Sequence, residues 1–123
     1  MRQGTLHTIL AIVFFIIVAG CSTVLRGKDL RDALATVNAT DGISFEEAMI
    51  ISDNYYKRYT FSGFGAPGKL IDVGDRWERI VYGRSDRPLD EGILIHKKTG
   101  RTSWKYGPTV NNPKEIWIYN ASR

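Results

Sequence analysis

The stretch Ile9-Leu-Ala-Ile-Val-Phe-Phe-Ile-Ile-Val-Ala19 constrains this chain more than any other, because eleven consecutive apolar residues cannot be left on the surface of a small water-exposed domain. As a helix the run would span roughly 16 Å at about 1.5 Å per residue. A hydrocarbon core is roughly 30 Å thick, so the run alone is too short to cross it comfortably. Its length is that of the apolar core of an export signal, and a short n-region carrying Arg2 stands before it. The run closes on the small residues Ala19 and Gly20 and on Cys21, the one cysteine of the chain.

Val18-Ala19-Gly20-Cys21 resembles the lipobox of bacterial lipoproteins, an aliphatic residue and two small residues before a cysteine. The resemblance implies cleavage between Gly20 and Cys21, then a diacylglycerol on the sulfur and an acyl chain on the new amino group. The residue types suit that chemistry: a protease at a membrane face needs small side chains beside the scissile bond, and lipid transfer needs a thiol. Position 18 is Val, where the family more often has Leu. An uncleaved signal anchor extended through Leu25 is the alternative; Arg26, Lys28 and Arg31 would then favour a cytoplasmic C-terminus. Ser22 follows the cysteine, and by the enterobacterial sorting rule its presence there, in place of Asp, implies the outer rather than the inner membrane.

Cleavage would leave 103 residues, the size of one small domain. Loss of Arg2 takes the formal side-chain charge from +4 to +3. That is mildly basic, well short of the clustered excess of a nucleic-acid binder. With the single cysteine acylated, no disulfide and no free thiol remain, so an ordinary apolar core must hold the domain together. The organisation expected is a signal peptide over 1–20, a lipidated tether or short helix over 21–42, and an α+β domain over 43–123.

Within 28–37, Leu30, Ala33, Leu34 and Val37 form a helical pattern with Asp29 as its N-cap. Ser44-Phe-Glu-Glu47 reads as a capping box opening a helix over 45–58. Phe45, Ala48, Met49, Ser52, Tyr56 and Tyr59 would face the core, with Asn54 on or near the polar side. The segment 60–68 reads as a loop. Its Gly63, Gly65 and Gly68 fit the letters of a dinucleotide fingerprint, but Pro67 and a strand follow where a helix is required, which argues against nucleotide binding.

From Leu70 the pattern changes to strands. Leu70 to Val73 and Trp77 to Tyr82 flank Gly74-Asp75, a hairpin, with the second strand central. A charged loop runs from Arg84 to Glu91. A three-residue turn at Lys98-Thr99-Gly100 would pair Leu94 with Trp104 and His96 with Thr102, gathering Leu94, Trp104 and Tyr106 on one face. Ile116 to Tyr119 is either an edge strand or a helical turn. The fold expected is α+β, one capped helix on an antiparallel meander of about four strands.

No catalytic residue, metal set or cofactor motif emerges. His96 reads as a half-buried strand residue. Asp72, Asp75, Asp86 and Asp90 read as solvated turn acids without the spacing of a calcium loop. Lys97, Lys98, Arg101 and Lys105 form a basic hairpin tip that could meet an acidic partner or an anionic envelope polymer. The order over 43–108 resembles small bacterial immunity-protein families of the helix-then-sheet type. The shared features are Ser44-Phe-Glu-Glu-Ala48, Gly74-Asp-Arg-Trp77, and Ile93 to Gly100 ending in Lys-Thr-Gly. Those families imply protein binding without catalysis, and a lipid-anchored member would guard the envelope against a toxin or enzyme. The expected function is thus a non-enzymatic, lipid-anchored envelope protein that binds a protein or cell-wall partner. The alternative is a small envelope hydrolase or metal enzyme using His96 with the loop carboxylates.

Overall fold

The computed structural model describes residues 27–61 and 64–118. The apolar run, the Gly20–Cys21 cleavage position and the lipid site lie outside the described residues. Among the described residues no helix is long and apolar enough to cross a membrane. The architecture is α+β, helices packed on a four-stranded antiparallel sheet.

Helix α1 (Gly27–Ala35) begins two residues before Asp29, which is therefore the third residue of its first turn instead of the expected N-cap, and there its charge complements the helix dipole. Leu30 and Leu34, with Val37 just beyond, are buried along one stripe. A single 3-10 turn, Ala39–Asp41, leads to helix α2 (Phe45–Tyr59). The capping box is present: Glu47 N–H donates to Ser44 Oγ at 3.2 Å and Ser44 N–H to Glu47 Oε1 at 3.1 Å. The second carboxylate oxygen of Glu47 accepts from Asn38 N–H at 2.8 Å, which ties the end of α1 to the start of α2. Burial alone would raise the Glu47 pKa. The Asn38 and Ser44 N–H groups and the Ser44 hydroxyl outweigh it and hold the carboxyl below its usual value.

The two helices run antiparallel, for Asn54 Nδ2 donates to the Leu30 carbonyl at 2.9 Å while Asn38 meets Glu47. Helix α2 is therefore covered on two sides, and its buried residues, Ala48, Ile51, Ser52, Asn54 and Tyr55, are broader than one stripe. Asn54, expected near the polar side, is fully buried. Phe45, expected in the core, is 45% exposed and meets the Trp77 ring edge-on at 5.8 Å between centroids.

The sheet runs in chain order: β1 (Ala66–Asp72), β2 (Arg76–Tyr82), β3 (Ile93–His96) and β4 (Thr102–Ser103). Strand β1 begins inside the segment expected to be a loop. Pro67 is tolerated there because β1 is an edge strand, and the pairing shifts register between Pro67 and Leu70. Strand β2 is central, as its consecutive apolar residues suggest, and Gly74 takes the positive φ of 101° that closes the first hairpin.

The second hairpin differs from expectation by one residue. His96 N–H donates to Arg101 O at 2.9 Å and Gly100 N–H to His96 O at 2.8 Å, so four residues, 97–100, form the turn instead of three. Leu94 then lies opposite Ser103, and Ile95 opposite Thr102. A one-residue slip exchanges the faces of a strand. Ile93 and Ile95 are fully buried against the helices, whereas Leu94 and His96 point to the other side. Strand β4 ends at Ser103, and buried Trp104 occupies the turn that follows, its indole N–H 3.4 Å from Glu91 O. The last apolar segment is helical, α3 (Glu115–Ile118), with Ile116 buried.

Candidate functional site

The corrected register builds a site on the face of the sheet turned away from α2. Residues directly opposite each other in an antiparallel pair share a face, about 5 Å apart. Arg76 of β2 is opposite His96 of β3, and His96 is in turn opposite Arg101, which starts the run into β4. Three nitrogen-rich side chains thus stand in a row across three strands. With Leu94, Ser103 and Thr109 they line a recess of about 350 Å³.

Two guanidinium groups, an imidazole and two hydroxyls surround the recess, and no carboxylate is among its lining residues. Asp75 is 3.9 Å from Arg76 Nε with both side chains well exposed, a pair that contributes little. Glu78 shares the face, being opposite Leu94, but its Oε2 accepts the Gly92 N–H at 2.9 Å. The Lys98 N–H donates to His96 Nδ1 at 3.2 Å, so the neutral ring carries its proton on Nε2 and offers a donor. Forked N–H donors and hydroxyls around one recess suit an oxyanion such as a carboxylate.

The four basic residues singled out in the sequence do not form one cluster. Lys97 turns to the helix side, with Nζ 2.6 Å from Asp72 Oδ1 and 4.5 Å from the Trp77 ring centre. Lys105 lies at the opposite end of the sheet, 2.5 Å from Asp90 Oδ2. Lys98 is exposed at the hairpin tip, and Arg101 alone of the four lines the recess. Arg76 was not among them, because its place beside His96 depends on the pairing of β2 with β3 and not on any local motif.

The turn acids are engaged elsewhere. The Lys97 hydrogen bond, then the Gly74 N–H, hold the Asp72 carboxyl below its usual range. The Lys105 and Tyr106 hydrogen bonds do the same for Asp90, and that carboxylate raises the pKa of both partners. Asp86 sits in a turn at φ 58°. None of Asp72, Asp75, Asp86 or Asp90 lines the recess that holds His96. Among the described residues, no group of three or more His, Cys, Asp or Glu side chains is arranged to hold a metal ion. At the glycine-rich segment, Gly65 precedes β1 and Gly68 lies within it, so the sequence runs into a strand and offers no helix start to a phosphate.

The chain matches no family model. Searches of the curated proteins and of the solved structures also found no match.

Proposed function

We propose that this chain is a non-enzymatic protein of the bacterial cell envelope, anchored by lipid on Cys21, that binds an acidic protein through the open face of its sheet. The observation that carries the binding role is the row Arg76, His96 and Arg101 across three strands, lining one recess. Half-buried Ile71, Ile80 and Leu94 share that face, and this mixture of apolar and cationic groups suits a protein surface with an acidic side chain at its centre. Arginine is frequent among the residues that dominate interfaces. The lipobox resemblance at Val18 to Cys21 supports the anchor, and Ser22 favours the outer membrane. An immunity or inhibitor role, guarding the envelope against a toxin or enzyme, is the form of binding that the helix-then-sheet order favours.

Capture from detergent-solubilised envelope with the full-length chain tests this. An acidic protein captured by the native chain and lost with Arg76→Glu plus Arg101→Glu is the expected result, with capture weakening as salt is raised. Capture unchanged by the double reversal would remove the recess from the reading. Loss of a hydrolytic activity on His96→Ala would remove the non-enzymatic assignment.

A further inference from the structure

The pole of the domain that receives the chain from the anchor has a surface of its own. Asn54 is two-thirds of the way along α2, and its bond to the Leu30 carbonyl sets the first turn of α1 beside the C-terminal half of α2. Gly27 opens α1 at that pole. Five residues, 22–26, separate it from Cys21, six Cα-to-Cα steps in all. Even fully extended they reach roughly 20 Å. An acylated Cys21 therefore keeps this pole close to the bilayer.

The same pole carries aromatic side chains in a chain of edge contacts. Phe61 is 62% exposed and its ring lies 5.4 Å from Phe64. Phe64 packs at 5.5 Å on Trp104 and at 6.4 Å on Tyr106, which is 44% exposed. Arg84 places its guanidinium 5.9 Å from the Phe61 ring centre. Lys105 neutralises Asp90 beside Tyr106. Glu91 lies near the same pair, so the charges beside Tyr106 are mixed, and what the pole presents is its exposed rings, the composition of a surface that seats at the headgroup level with the rings at the acyl boundary. Both hairpin tips, at Gly74-Asp75 and 97–100, lie at the other pole, where Ile43 N–H meets Lys97 O. The recess beside Arg76 and Arg101 is at that far end.

We propose that the Phe61–Tyr106 pole rests on the surface of a phospholipid bilayer, so that the anchored domain stands in one orientation with its basic recess pointing away. This rests on the acylation of Cys21. The test uses the full-length chain purified from membranes and reconstituted in vesicles of phosphatidylethanolamine and phosphatidylglycerol, with part of the lipid brominated. Trp104 and Trp117 report from the seated pole through quenching of their fluorescence. Phe61→Asp and the milder Phe61→Ser should lose most of the quenching, while Phe45→Asp, an equivalent change at the far pole, should retain it. Intact mass is read on each sample. Acyl mass present with quenching equal in all four proteins overturns the docking and leaves the anchor standing. Weak quenching of the native chain with cross-linked dimers would give the pole to a second copy, and also overturns the proposal. Absence of acyl mass removes the anchor and the docking together.

Discussion

Arg79 places Nη1 2.9 Å from Asp53 Oδ1 and 2.9 Å from Ser52 Oγ, and so holds a guanidinium between β2 and α2, where only 6% of the residue is exposed. Its Nε donates to the Gly68 carbonyl of β1. A single side chain thereby joins the helix to two strands. Removing the carboxylate leaves the cation buried and without its counter-charge, so Asp53→Ala should cost about 3 kcal/mol. Arg79→Met keeps the volume and removes the charge, and should cost less. Urea midpoints of the two variants give the order directly; the reverse order would show that the cation is adequately solvated without Asp53.

Asn54 is the corresponding link on the other side of α2. Its Nδ2 reaches the Leu30 and Ile50 carbonyls at 2.9 Å each, and its Oδ1 accepts the Trp117 indole N–H from α3. Asn54→Leu strands a buried donor and a buried acceptor, which predicts a loss of about 2–4 kcal/mol at one to two unsatisfied groups. Thermal denaturation followed by Trp fluorescence measures it. Asn54→Asp keeps the acceptor for Trp117 but turns a carboxylate oxygen toward the two carbonyls at a fully buried position, and should cost at least as much at neutral pH.

Two glycines at positive φ separate conformation from space. Gly74, at φ 101°, has nothing within 4 Å of an added Cβ, whereas at Gly100, φ 76°, a Cβ would lie 3.0 Å from Pro113 Cγ and 3.3 Å from Ile43 Cδ1. Alanine at Gly74 should cost about 1–2 kcal/mol for the left-handed backbone alone. At Gly100 the cost should be larger, because Pro113 and Ile43 must also give way. Equal losses in a denaturant titration would mean that the turn relaxes freely.

The Glu47 carboxyl titrates below its ordinary value of 4.5 in the folded chain. A depressed folded pKa contributes stability above the unfolded value, and that contribution is lost as pH falls through the folded one. Glu47→Gln should therefore be less stable than the native chain by about 1 kcal/mol at neutral pH. The difference should close as the pH is lowered past 4.5. A gap that stays constant across that window would assign the loss to helix packing and not to ionisation.

What was legible in the sequence was what depends on neighbours in the chain. The capping box at Ser44 and Glu47, the positive φ of Gly74 and Gly100, and the central place of β2 all follow from short patterns. The face of β3 did not, because Ile93, Leu94 and Ile95 are apolar on both sides and only the turn length decides which side is buried. Asn54 was misplaced for a related reason: the groups that bury it come from residues 30 and 117. The recess required the same long-range knowledge, since Arg76 and His96 are twenty residues apart and meet only through the ladder.

The margins of the sheet have one more consequence. Val110 exchanges two backbone bonds with Thr102, at 2.8 and 2.7 Å, and so caps the flank beyond two-residue β4; on the opposite flank β1 contains Pro67 and a shifted register. Neither margin offers the long, regular ladder on which a strand from another molecule grows into a fibre. Many copies crowded side by side could thus jostle without being recruited into a shared sheet.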